Sequence, residues 1–175
     1  LNSIKAKCDT SIGGIKRIFV EQRDYLTDVI VDEKTQKIIY LGLPTDRHLK
    51  TWEFRKNTGS YTSTATIDSS INLSYFTTEV SLQFSRAEAQ KRLEIQSVIN
   101  AGGVVVIIED MYGEFLFLGK DKDVKITSAT MQSGTNQTDL SGFNLTFTDT
   151  SFELPHFIDK NYVDVTTLAK EIEEE

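Results

Sequence analysis

The segment from Tyr61 to Phe84 constrains this chain more than any other. From 61 to 75 the odd positions carry Tyr61, Ser63, Ala65, Ile67, Ser69, Ile71, Leu73 and Tyr75. The even positions carry Thr62, Thr64, Thr66, Asp68, Ser70, Asn72 and Ser74, with no apolar residue among them. A period of two is the signature of a strand whose two faces meet different surroundings. After Tyr75 the parity reverses, and Val80, Leu82 and Phe84 occupy even positions. A two-residue hairpin loop joins residues of opposite parity, so the reversal marks a hairpin turn or a bulge near Tyr75 to Thr78. The unbroken parity before it allows one long strand, or a loop of odd length around Asp68 to Ser70. Either way the strands exceed the usual length of about five or six residues, and one face of the ribbon is wholly polar.

Composition extends this reading to the whole chain. Thr occurs 20 times and Ser 14 times, against two prolines and ten glycines. Threonine's branched Cβ suits a pleated, half-buried surface, which points to strands with polar faces rather than a Ser/Thr linker. At 175 residues one domain can bury about 70% of its extended-chain surface without a metal or disulfide staple. The expectation is a single β-rich domain over residues 1–175, with a flexible N-terminal arm to residue 13 and an acidic tail over residues 165–175.

Strands are expected at Ile15 to Val20, Leu26 to Val31, Lys37 to Tyr40 and Leu49 to Arg55. Ser85-Arg86-Ala87-Glu88 reads as a capping box, with Ser85 capping a helix and Glu88 reaching back to it. Ala89, Leu93, Ile95, Val98 and Ile99 then supply an apolar helical face, stopped by Gly102-Gly103. Val104 to Ile108 is apolar throughout and reads as a strand buried on both faces. Glu114 to Leu118 returns as its hairpin partner, and Val124 to Met131 and Phe143 to Phe147 follow as strands. The fold class is mainly β, a sandwich or barrel with a long hairpin and one packed helix.

Several functions are excluded on chemical grounds. The formal charge is −7 and the isoelectric point about 4.9, which is wrong for a generally basic nucleic-acid binder. Cys8 is the single cysteine, so no intrachain disulfide framework exists. Val104 to Ile108 is far too short to cross a bilayer, and no secretion signal is evident. His48 and His156 stand alone, and Asp121 with Asp123 lacks the glycine and distal glutamate of a calcium loop. No nucleophile elbow, Cys-His pair or phosphate-cradling loop is present. Glu109 with Asp110 reads as a solvated hairpin tip rather than an acid/base pair. The sequons at Asn72, Asn136 and Asn144 are ordinary products of a Ser/Thr-rich chain. The aromatics alternate within strands without clustered Lys or Arg, so they read as core rather than base-stacking platforms. Neither enzymatic activity nor a metal or cofactor is expected.

The run from Phe76 to Gly119 (strand hairpin, capped helix, Gly-Gly, apolar strand, Gly-Glu-aromatic strand, Leu-Gly turn) resembles phage tail-tube-like proteins. Ser133 to Thr135, Asp139 to Phe147 and Glu153 to Pro155 are similar to a run in virion structural proteins of phages infecting Bacteroidetes, including crAss-like phages. The resemblance implies assembly into a six-fold or twelve-fold ring around a channel, contacts with neighbouring tail or portal proteins, and no catalytic residues. It implies a virion location in the tail or neck, after assembly in the host cytoplasm. On that footing Thr62, Thr64, Thr66, Asp68, Ser70 and Asn72 would line a lumen that DNA passes without specific binding. Ile67, Ile71, Leu73, Val80 and Leu82 would pack or form the subunit interface behind it. A tube protein of a bacterial injection system would share this physics. A monomeric carbohydrate- or peptide-binding β-domain would need a pocket with an exposed aromatic instead, with Trp52 or Tyr112 as the candidates.

Overall fold

A computed structural model describes residues 13–70, 73–135, 139 and 141–169. The strands are β1 (Ile15–Gln22), β2 (Val29–Val31), β3 (Ile38–Leu41), β4 (Lys50–Glu53), β5 (Gly59–Asp68) and β6 (Leu73–Ser85). Helix α1 (Ala89–Ala101) follows, then β7 (Val104–Asp110), β8 (Phe115–Leu118), β9 (Lys125–Gln132), β10 (Gly142–Ser151), β11 (His156–Phe157) and the short helix α2 (Val165–Leu168). The chain is mainly β, as the periodicity demands.

Two antiparallel sheets share one core. The order is β11-β8-β7-β1-β4 in the larger and β5-β6-β10-β9 in the smaller. Ile18, Val20, Val106, Ile108, Leu116 and Leu118 of the larger sheet meet Val80, Leu82, Phe84, Phe143, Leu145 and Phe147 of the smaller. Each fully buried side chain of this kind contributes about 2 kcal/mol from apolar area removed from water. The opposite face of the larger sheet packs Phe19, Val105, Ile107, Phe115 and Phe117 against Ile38 and Leu41 of the β2-β3 hairpin and against Ile158, Val163 and Val165. Strand β7 is therefore covered on both sides, which explains its unbroken apolar run.

The long ribbon is the β5-β6 hairpin. Asp68 pairs with Leu73, so the strands reverse between these two residues, with Asp68 accepting from the Ser70 amide at 2.9 Å. The parity change belongs to this turn rather than to Tyr75–Thr78. Beyond it, even positions of β6 face the core, and Thr78, Val80, Leu82 and Phe84 are buried there.

The capping box does not form. Ser85 is the last residue of β6, held by its pairing with Gly142. At Gly142 φ is 156°, and a Cβ would run into the Phe84 carbonyl. Arg86 then takes a left-handed φ of 62° and donates its amide to Ser141 at 2.7 Å, which delays the helix to Ala89. Glu88 occupies the cap position without a side-chain cap bond; its carboxylate pairs with Lys91 at 3.2 Å. The stop is as expected, with Gly102 in the left-handed region at φ 78°. Of the apolar helical face, Ile95 is buried and Val98 half-buried, while Ala89, Leu93 and Ile99 are exposed.

The described part of the expected acidic tail over residues 165–175 begins with α2, which is anchored to the body. Asp164 caps α2 by accepting from the amides of Thr166 at 3.0 Å and Thr167 at 3.2 Å, and the threonine hydroxyl and amide bonds hold its carboxyl down at about 2. Val165 is buried, and the Leu168 carbonyl accepts from the Leu49 amide at 3.0 Å. Residues 170–175, and the arm up to residue 12, lie outside the described residues.

Candidate functional site

Pairing registers show which residues share the outer face of the smaller sheet, because directly opposed residues point the same way. One row runs Thr62, Glu79, Thr148 and Lys125. The next runs Ser60, Ser81, Thr146 and Ser128, and a third joins Gln83, Asn144 and Thr130. Toward the hairpin tip come Thr64, Thr77 and Thr150, then Thr66 with Tyr75. The polar face read from one ribbon thus spans four strands. Thr127 Oγ1 lies 2.9 Å from Thr148 Oγ1 across the β9-β10 pair.

Of the six candidate lumen residues, Thr62, Thr64, Thr66 and Asp68 stand exposed on this face. Ser70 sits in the turn, its hydroxyl donating to Asp68 at 2.5 Å, and Asn72 lies outside the described residues. Charged side chains on the paired rows are few: Asp68, Glu79 and Lys125.

The packing set divides. Val80 and Leu82 are 0% and 2% exposed and belong to the sandwich core, so they are not a free interface. Ile67 shares their face of the ribbon but lies where the larger sheet no longer covers it, at 77% exposure. Leu73 opposes Asp68 and so falls on the polar face, because the turn reverses parity. Ile71 lies outside the described residues.

Among the described residues both ends of the smaller sheet are open edges. Among the described residues β5 pairs with β6 alone and β9 with β10 alone. The two edges are ten and eight residues long. With four antiparallel strands between them, inclusive, they run in opposite directions.

Three buried acids, Glu21, Glu109 and Asp149, went unread in the sequence. Glu109, expected at a solvated tip, is 4% exposed. It takes Lys16 Nζ at 2.7 Å and the Arg17 guanidinium. A bulge between Ile15 and Arg17 brings both cations to it. Burial pushes its carboxyl up, but the Lys16 and Arg17 bonds and charges outweigh this and hold it below the ordinary range. Asp149 is also 4% exposed, with Oδ1 unpartnered. Burial, reinforced by Asp121, pushes it up to about 6 despite the Gly119 and Thr150 amides. It lies opposite Thr78, whose hydroxyl is 2.7 Å from Ser63 Oγ, at the root of the projecting hairpin. The signal for Glu109 was the adjacent Lys16-Arg17 pair; strand parity alone placed Asp149 inward.

Trp52 is half-buried, packed on one side against the core. Its ring stands edge-on to Phe84 with centroids 5.7 Å apart, and 6.1 Å from Phe147. It borders a cavity of about 230 Å³ shared with Glu21, His48 and Glu94. Tyr112 is exposed at the β7-β8 turn. Among the described residues no group of three or more His, Cys, Asp or Glu is placed to hold a metal. None of their helices is long and apolar enough to cross a membrane.

Comparison of the chain with family models, with curated proteins and with solved structures finds no match. The fold and the surface define a class by themselves: an antiparallel β-rich domain whose smaller sheet has one apolar face, one polar face and two open edges.

Proposed function

We propose that the chain is a non-enzymatic structural subunit that assembles with copies of itself into a ring or tube, with the polar sheet face lining the channel. The observation that carries this reading is the pair of long open edges, β5 and β9, at the ends of a polar-faced sheet. Open edges are templates for strand pairing between chains, and a closed ring removes them. Because the edges run oppositely, a copy related by rotation alone sets its β9 antiparallel to β5 and continues the sheet.

The wall chemistry fits passage of a polyanion. Each Lys or Arg contact with phosphate adds sequence-independent affinity, and the paired rows hold Asp68 and Glu79 against the single Lys125. Hydroxyls hydrate the wall without holding cargo. In the setting that the sequence resemblance implies, the cargo is genome DNA, the ring is six-fold or twelve-fold, and the subunit sits in a phage tail or neck beside tail or portal proteins. The rival ligand-binding reading has less behind it: Trp52 is half-buried with its ring against Phe84 and Phe147, and Tyr112 stands on a tight turn.

Solution mass by light scattering over a concentration series tests the proposal. The expected result is mass rising to a ring or filament, with annular particles by electron microscopy. Proline at Thr64 or at Ala65 should abolish the rise, since one of two neighbouring edge amides points outward. A wild-type chain that stays monomeric throughout rejects self-assembly.

A further inference from the structure

Two polar groups beside the end of β1 lack the partners that their burial requires. Glu21 is 7% exposed, and its carboxylate accepts one bond, from the Gln22 amide at 2.9 Å. Among the described residues no Lys, Arg or His forms an ion pair with it. A carboxylate taken out of water is costly unless a cation or several donors meet it. His48 Nε2 is buried with no hydrogen-bond partner, whereas buried polar atoms are normally bonded.

The backbone turns both groups toward one place. The Arg23 amide bonds the Gly103 carbonyl at 3.2 Å, on the β7 side of β1. Successive amides of an extended chain point to opposite sides, and Gln22 is extended, with φ −65° and ψ 136°. The Gln22 amide, and the Glu21 carboxylate bonded to it, therefore lie on the β4 side. There β4 has not yet begun, and the Leu49 amide bonds the Leu168 carbonyl rather than β1. A cavity of about 230 Å³ occupies this gap, bordered by Glu21, Gln22, Asp46, His48, Trp52 and Glu94.

Acids dominate the wall. Arg47 also borders the cavity, but its guanidinium lies over the Tyr25 ring, 3.9 Å from the centroid. Lys50 is the remaining cation and is exposed, against Glu21, Asp46 and Glu94. Trp52 and Glu94 further border a recess of about 170 Å³ whose wall includes Phe84 and Ile95. The acids set the charge that a ligand must carry, and the recess sets the body behind it. A protonated amine supplies three donors, enough for Glu21 and for His48 Nε2, which accepts when the neutral ring carries its proton on Nδ1. An indole face attracts a cation within about 6 Å.

We propose that this cavity binds a small primary amine with an aromatic or short alkyl body, its ammonium held by Glu21 and His48. The body enters the recess beside Trp52 and Phe84. The site uses no residue of β5 or β9, so its test is separate from that of assembly.

NMR titration of the full, isotope-labelled chain tests the site. Phenethylamine is the probe, with phenethyl alcohol and phenylacetate as the neutral and anionic counterparts of the same body. Shifts with the amine should saturate and centre on the Trp52 indole and the His48 ring. The alcohol should bind at least about tenfold more weakly, because the charged hydrogen bond is lost, and phenylacetate should not bind measurably. Glu21→Gln should weaken the amine by the same factor and bring it level with the alcohol. Glu94→Gln, on the exposed side of α1, should weaken it by only about twofold to fivefold. The ligand series runs on the unaltered chain, so it decides the matter even if Glu21→Gln fails to fold. Equal affinity for amine and alcohol overturns recognition of the charge. Shifts that never saturate, or that lie away from Trp52 and His48, overturn the site. Binding seen only in Lys50→Ala would make Lys50 the cation that Glu21 takes, and overturns the proposal.

Discussion

Strands β7 and β10 lie in different sheets and were shaped by different surroundings. Every residue of β7 from Val104 to Glu109 is buried, because one side packs on the smaller sheet and the other on the β2-β3 hairpin and the C-terminal segment. In β10 burial alternates: Phe143, Leu145, Phe147 and Asp149 are buried while Asn144, Thr146, Thr148 and Thr150 are less so. The contrast teaches that a run of apolar residues records two covers, and an alternation records one. A sheet with only one cover keeps a face free for another use.

The comparison breaks most visibly at Phe147, which is fully buried between Trp52 and the sandwich core. Phe147→Ala should destabilise the chain by about 3–5 kcal/mol, read from urea unfolding at a concentration where the chain is monomeric. A loss under about 1 kcal/mol would mean that the two sheets do not share this core.

Asp149 sharpens the contrast, being an acid on the covered side. Its carboxyl is raised from 3.8 to about 6, so the neutral form is the one that the fold favours. That contribution is fully present below the unfolded value and is lost as pH rises through about 6. Asp149→Asn should therefore stabilise the chain at pH 7.5 by up to about 2 kcal/mol, and the two melting curves should converge near pH 4. Glu109 works in the opposite sense. Held below its ordinary 4.5 by its cations, it contributes above that value and loses its contribution as pH falls. An Asp149→Asn variant that is less stable at pH 7.5 would show that the carboxylate has a partner.

The smallest effect belongs to the free face. Thr127→Ala removes one hydroxyl contact to Thr148 and should change stability by less than about 0.5 kcal/mol. A cost above about 1 kcal/mol, by the same urea measurement, would make the polar face a structural necessity rather than a surface kept for assembly.

Much of this was legible from residue order. Val104 to Ile108 announced its double cover, and the alternation from Tyr61 announced a long two-faced ribbon. What failed were features set by contacts distant in sequence. The parity of Leu73 and Tyr75 continued that of Ile67, yet the turn after Asp68 carried them to the other face. Ser85 to Glu88 matched a helix start by spacing, but pairing with Gly142 kept Ser85 in the sheet. Glu109 looked solvated because its partners, Lys16 and Arg17, lie more than ninety positions away in the chain. The breadth of the polar face was equally hidden, since it depends on β9 and β10 joining the ribbon.

Helix α1 sinks a single side chain, Ile95, into the core with Val98 half-buried beside it. Its thirteen residues bridge the two sheets through a Gly-Gly exit and a left-handed Arg86 entry. An element fastened so lightly opens at a small fraction of the free energy needed to part the sheets. The fold thereby carries a gradient of rigidity, from a sandwich that behaves as one unit to a bridging segment that can yield without disturbing it.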